Sequence, residues 1–382
     1  MENFKFKPVN MPADVPKLRS EVREFLRVEL AGLEAREKAK SWSGFDEEFS
    51  RKLAKQGWVG MMWPKALGGS EASALHRYVV IEELLAAGAP VAAHWIADRQ
   101  SGAHIMRYAS KSVQERFLPA IARGELYFCI GMSEPNSGSD LASIRTKADR
   151  VDGGWVINGS KIWTTFAHRS QMMIALVRTT PTGESRHAGL SQFIIDLSND
   201  GVRIKPIIDH QDEQHFGEIF FDNVFVEDDM LLGLEGDGWA QVNSELALER
   251  SGPERYLSSY RLFEELLSSL RDGCDEITTT TIGEITADIW TLRQMSMSIA
   301  GQLADGEDPS LEASMVKDLG ACFEQALPHT LQSRLGGSIP PGRETDFHQT
   351  LSYLLKASPA FSLRGGTREI LRSIIARGLG LK

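Results

Sequence analysis

The chain has 382 residues, 42 % of them apolar and 25 % charged, with a formal net charge of −10; this suits one large domain or a few layered ones, and the absence of Lys/Arg blocks argues against a nucleic-acid surface. Cys129, Cys274 and Cys322 are far apart and lack metal-ligand spacing, so neither a disulfide framework nor a metal site is indicated. No run approaches the roughly 18 to 20 apolar residues of a membrane helix, and MENFKFKPVNMPADVPKLRS lacks the apolar middle of a signal peptide, so a soluble cytoplasmic protein without membrane contact is expected.

From about residue 13 to 125 the pattern is helical. Leu18, Val22, Phe25, Leu26, Leu30 and Leu33 recur at three- and four-residue spacing and so share one face, which predicts a core contact. Ser112 to Glu115 reads as a capping box opening a helix through Phe117, Leu118 and Ile121, with Gly124 placed to end it. The period then changes. Trp155 to Ile157, Asn158-Gly159 and Ser160 to Trp163 read as a hairpin, because Asn-Gly tolerates the positive φ of a tight primed turn. Further β-rich runs follow at 172–178, 192–196, 202–207 and 218–226, separated by Gly, Pro, Asn and Asp. Helical patterns return near 239–271, 281–304, 311–335 and 366–378, and SIPPGRET (338–345) reads as a loop because its two prolines cannot sustain a helix. The order is α, then β, then α, with domains expected at 1–125, 126–235 and 236–382.

The segment YFCIGMSEPNSGSD (127–140) lies between helix and sheet and is rich in small and hydroxyl residues, which lets backbone N–H groups approach a flavin or a phosphate. On composition alone an ordinary connecting loop is the better reading. No GxGxxG fingerprint follows a predicted strand.

SEPNSGSD and INGSKIWTT (157–165) together resemble the two flavin segments of the acyl-CoA dehydrogenase family, the first commonly written TEP-x-AGSD. WPKALGG (63–69), FLPAIARGE (117–125) and FFDNVFV extend the resemblance through most of the chain, and it weakens after residue 260. It implies the family's α+β fold: an N-terminal helical domain, a middle β-domain and a C-terminal four-helix-type bundle. It also implies FAD. Ile130, Met132 and Ser133 would lie beside the isoalloxazine ring, with Ser133 in the family's Thr role. Trp163 would pack on the flavin, Thr164 beside it, and Thr165 near N5. Gly138 and Ser139 would lie near a cofactor phosphate or the CoA arm, and Thr367 and Glu369 would complete the cofactor set. An aromatic wall and polar donors suit a ring that gains charge on reduction. By itself, Trp163 reads as a buried sheet aromatic.

Removing a proton α to a thioester needs a desolvated carboxylate near Cα. Much of the family carries it in a Tyr-Glu-Gly-Thr segment, but this chain reads Arg364-Gly365-Gly366-Thr367 there. A minority of the family, including isovaleryl-CoA and long-chain enzymes, places the base on an earlier helix in a Leu-Glu-Arg context, and Leu248-Glu249-Arg250 matches it. The resemblance therefore assigns the base to Glu249 and substrate contacts to Ser139, Arg250 and Gly366. Without it, Glu249 reads as a solvated helix glutamate paired with an arginine.

The family's Arg-x-x-Phe-Gly segment, which reaches the FAD of a neighbouring subunit, is missing from 260–292, and Ser333 stands where a Gln-x-x-Gly-Gly segment has its Gln, before Gly336 and Gly337. The expected protein is thus a dehydrogenase forming a trans-2-enoyl-CoA from a bulky, steroid-side-chain-like acyl-CoA. It would act in an α2β2 assembly with a homologous subunit and pass electrons to an electron-transfer flavoprotein. A related flavin oxidase or monooxygenase, and a non-catalytic subunit completing a partner's site, are the alternatives.

Overall fold

The computed structural model describes residues 4–181, 183, 185–249, 252–270, 274–335 and 345–381, and of 245–249 the backbone alone. The N-terminal helices are α1 (Val15–Glu29), α2 (Ala35–Lys40), α3 (Glu47–Lys55), α4 (Ala74–Ala86), α5 (Ala92–Ile96), α6 (Gly102–Tyr108) and α7 (Lys111–Ala122). Strands follow as β1 (Phe128–Gly131), β2 (Lys147–Val151), β3 (Gly154–Thr165), β4 (Met172–Arg178), β5 (Leu190–Asp196), β6 (Val202–Ile207), β7 (Phe216–Glu227) and β8 (Leu231–Leu232). The C-terminal helices are α8 (Gly238–Glu249), α9 (Tyr260–Ser269), α10 (Glu276–Ala304), α11 (Ser310–Leu335), α12 (Asp346–Ala357) and α13 (Arg368–Gly378). By contact density the chain forms two compact units: Met1–Phe45, Ala72–Val91 and Ala247–Lys382 in one, Asp46–Glu71 and Ala92–Leu246 in the other.

In the first unit α1 buries Val15, Val22 and Leu26, on the face its spacing predicts, and packs along α4. Arg23 Nε reaches Glu83 Oε2 at 2.7 Å, and Arg293 Nε of α10 reaches Glu82 Oε1 at 2.6 Å. These groups line a cleft of about 790 Å³ in which Glu82, Glu83 and Glu264 are each paired with an arginine. The C-terminal helices close on Leu262, Leu266, Leu327, Leu331, Leu351 and Leu354. In α11 a Cβ at Gly320 would lie 1.9 Å from the Arg255 carbonyl oxygen, so glycine permits the close approach of the 253–255 turn.

The second unit holds an eight-stranded sheet in the order β6-β7-β3-β2-β4-β5-β8, with β1 added parallel to β4. Its core joins Phe193, Ile194, Ile195, Met173 and Ile174 from the sheet to Phe117, Leu118 and Ile121 from α7. His104 of α6 meets the buried Gln192 of β5 through a side-chain hydrogen bond.

Four local expectations need correction. Asn158-Gly159 is not a hairpin turn: β3 runs unbroken through it, and the pair forms a bulge against β7, with Gly159 at φ +144°. Pairing with β2 on one side and β7 on the other outweighs the local turn preference. The cap of α7 is Ser110, whose hydroxyl accepts from Val113 N, rather than Ser112. The pattern over 239–271 is two helices, because Pro253 cannot continue one and opens a short 3₁₀ turn. Helix α12 was not foreseen; its start is fixed by Thr345, which accepts from His348 N at 3.4 Å, while the rest of the loop expected at 338–345 lies outside the described residues.

Candidate active site

Strand β1 ends at Gly131, and the chain enters the loop Met132–Asp140, which is laced to β3. Ile162 N donates to Ser133 O at 2.9 Å. The Lys161 side chain, fully buried, donates to Met132 O at 3.0 Å and to Glu134 Oε1 at 2.9 Å. Glu134 also accepts from Arg145 N at 2.7 Å and Thr146 N at 2.9 Å. Its backbone closes a tight turn with Ser137. Burial pushes the Lys161 ammonium down to about 8 while Glu134 holds it up; burial works against ionised Glu134, yet Lys161 and the 145–146 segment carry its carboxyl below the usual range. One buried ion pair therefore couples the two segments singled out in the sequence.

Beyond Ile162 the strand leaves its register with β7, and Trp163 takes a left-handed conformation, φ +59°. Its indole is 57 % exposed and meets Phe216 edge-on, with ring centroids 6.0 Å apart. A non-glycine residue held there costs of order 1–3 kcal/mol, and such strain clusters at functional positions. The Thr164 hydroxyl is buried without a hydrogen-bond partner among the described residues, and Thr165 is half-buried. Phe166, also left-handed at φ +49°, donates its N–H to His215 O at 2.8 Å.

Ile130 packs on the main core, and Met132 on a small cluster of Ile144, Leu176, Leu190 and Val242. Neither the N–H nor the hydroxyl of Ser133 has a partner among the described residues. Gly138 and Ser139 are exposed, and a Cβ at Gly138 would meet nothing within 4 Å. The second unit thus brings Ile130, Met132, Ser133, Trp163, Thr164 and Thr165 onto two laced segments, with Gly138 and Ser139 at the open end of the loop.

The first unit holds the Arg364–Thr367 turn. Gly365 and Gly366 both have positive φ, +62° and +97°, and Lys317 Nζ, on a buried side chain, donates to Gly366 O at 2.7 Å. The Arg364 guanidinium lies between the rings of Trp42 (4.2 Å) and Phe361 (4.1 Å) and 3.4 Å from Glu324. Burial brings Arg364 down to about 10 and raises the Glu324 carboxyl. Thr367 caps α13, and Glu369 stands exposed in its first turn. Glu249 ends α8, and nothing of its side chain is described; Arg250, Gly336 and Gly337 lie outside the described residues.

Family models of the acyl-CoA dehydrogenase N-terminal, middle and C-terminal domains match residues 13–125, 129–224 and 236–380. IpdE1 of Mycobacterium tuberculosis, an acyl-CoA dehydrogenase, is 34 % identical over 96 % of this chain and 98 % of its own length. The chain belongs to the acyl-CoA dehydrogenase family. It is an oxidoreductase with that family's three-domain architecture. Among acyl-CoA dehydrogenases it is also 33 % identical to FadE34 of the same organism over 88 % of this chain, spanning 46 % of that longer relative. Two solved structures share its fold closely. One is the Tcur3481-Tcur3483 steroid acyl-CoA dehydrogenase, with TM-score 0.87, 25 % identity and coverage of 98 % and 99 %. The other is the ChsE4-ChsE5 complex from Mycobacterium tuberculosis, with TM-score 0.84, 26 % identity and coverage of 98 % and 100 %.

The flavin that this family carries fits the second unit's residues: a flat ring held out on strained backbone stands on the segment laced to Ser133, whose N–H and hydroxyl have no partner among the described residues. Sequence reasoning missed the Lys161–Glu134 pair and the Arg364 sandwich. The first left little signal, because Lys161 stands between Ser160 and Ile162 with no apolar alternation to mark it as inward; the second joins residues more than 300 positions apart, and no local pattern carries it.

Proposed function

We propose that this chain is the catalytic subunit of an FAD-dependent acyl-CoA dehydrogenase heteromer that converts a bulky acyl-CoA into its trans-2-enoyl-CoA, with Glu249 as the base. The observation that supports it best is the pair of laced segments around Ser133 and Trp163. FAD, when bound, supplies the acceptor for the β-hydride. The residues around it would be Ile130, Met132, Ser133, Trp163, Thr164 and Thr165 at the ring, with Thr367 and Glu369 completing the set. Gly138 and Ser139 offer room and donors for a phosphate or the CoA arm.

The Glu249 carboxylate takes the α-proton as the β-hydride leaves, so the substrate loses H⁺ and H⁻ and gains one C=C bond. Gly365 supports this choice of base: with glycine at the family's usual carboxylate position, the turn has no acid of its own there and leaves room for a branched or steroid-like acyl group. Ser139, Arg250 and Gly366 are assigned to the substrate. The domain limits we assign are 1–125, 126–235 and 236–382.

The heteromer rests on the missing Arg-x-x-Phe-Gly segment and on Ser333, and draws support from the likeness to the ChsE4-ChsE5 complex. A homologous subunit would supply the absent contacts, and an electron-transfer flavoprotein would accept the electrons, all in the cytoplasm. Among the described residues no helix is long and apolar enough to cross a membrane.

Glu249→Gln tests the base. It should retain bound flavin and lose at least about 10³-fold in dehydrogenation; a near-native rate would transfer the role to another residue. Full FAD occupancy and turnover by the chain expressed alone would refute the heteromer. Rapid reaction of the substrate-reduced protein with oxygen would favour an oxidase.

A further inference from the structure

Lys161 is a buried ammonium that the proton and hydride transfers do not use. Its two partners are specific. It donates to the Met132 carbonyl at 3.0 Å and to Glu134 Oε1 at 2.9 Å, with none of its side chain exposed. A trans peptide is planar, with its C=O and N–H pointing in opposite directions. The peptide whose carbonyl receives Lys161 is the one whose N–H belongs to Ser133, so that N–H points away from the ammonium. It has no partner among the described residues. The next carbonyl, Ser133 O, is also taken up, by Ile162 N at 2.9 Å, so the peptides on both sides of Ser133 are held.

We infer that Lys161 is a positioning residue that fixes and polarises the Met132–Ser133 peptide, making the Ser133 N–H a strong donor to the anionic edge of a reduced flavin. The inference rests on the FAD-dependent reading above. A cation on a peptide oxygen draws electron density from the N–H, and hydrogen bonds in series strengthen one another in a dry interior. Glu134 keeps the ammonium charged despite its burial and, through the amides of Arg145 and Thr146, ties it to the start of β2. The ion pair thus has a polarity as well as a stabilising effect: its positive end lies on the loop peptide.

The test is the flavin midpoint potential of the FAD-loaded protein, purified with its partner subunit where one co-purifies, for the wild type and for Lys161→Met and Glu134→Gln at pH 6.5. Lys161→Met should favour oxidised over reduced flavin about tenfold more than the wild type does, which for a two-electron couple is a fall of about 30 mV. Glu134→Gln, which removes the group that keeps the buried ammonium charged, should lower the potential as well, and by less as the pH is brought down and the ammonium regains its proton. Falls in both variants support the inference. A purely structural role predicts that both variants lose flavin affinity without moving the potential of the flavin that remains, and equal potentials in all three proteins would overturn the inference. If Lys161→Met does not fold, Glu134→Gln decides alone, because a potential that does not fall contradicts a polarising ammonium held charged by Glu134. A wild-type protein that binds no FAD with its partner present would instead overturn the functional reading itself.

Discussion

Replacing Arg364 by Met removes a guanidinium held between two rings and leaves the buried Glu324 facing the gap. At 3.4 Å, unit charges attract by about 5 kcal/mol at an effective dielectric of 20, most of it spent on desolvating both groups. Removing one partner exposes that desolvation cost, so the variant should lose about 3–5 kcal/mol. The loss should depend on pH in a definite sense. Glu324 is raised above its ordinary value by burial, with Arg364 and Ser258 opposing, and without Arg364 it rises further. As pH falls, the folded variant takes up a proton before the unfolded chain does, so its deficit is greatest at high pH. It shrinks by about 1.4 kcal/mol per pH unit once the folded-state value is passed. Urea denaturation at pH 8 and pH 5.5 measures both quantities, and Glu324→Gln added to Arg364→Met should recover most of the loss. A deficit below about 1 kcal/mol, a deficit independent of pH, or simple additivity in the double variant would refute the reasoning.

Burial depresses His104 to about 4, so as pH falls the unfolded chain is protonated first and stability is lost progressively between about 6.5 and 4. At about 1.4 kcal/mol per unit this amounts to about 3 kcal/mol, and His104→Gln should flatten that part of the curve in denaturant titrations across the range. Trp163→Gly removes an exposed ring from a left-handed site, so the melting temperature should change little, while FAD affinity, read by flavin fluorescence, should fall at least tenfold.

The sequence carried the layer order well because periodicity reports burial: α1 buries Val22 and Leu26 as the spacing requires, and β4 runs over the 172–178 segment expected. Where tertiary partners outweigh local preference, it misled. Asn158-Gly159 is a strong turn pair in isolation, yet β3 passes straight through it because strands on both flanks pair with it. Helix α12 follows a proline-bearing segment that drew attention to the loop rather than to the helix beyond it. Of the candidate site, the residues of the two laced segments could be singled out from their motifs. The lacing that gives those motifs a shape could not, because it depends on Lys161 pointing inward, and inward direction is a property of register.

That register has a consequence for how the chain can vary. Strand β3 acts as a ruler between the bulge at Gly159 and the turned-out Trp163, and alternate side chains on a strand face opposite ways. Deleting or inserting one residue between these points would carry Lys161 to the other side of the sheet and send Ile162 inward. The loop would lose its fastening and Trp163 its place in one event. Length changes in this part of the chain should therefore be tolerated at the β2–β3 turn around Gly153, and not within the three residues, Ser160 to Ile162, that separate the bulge from Trp163.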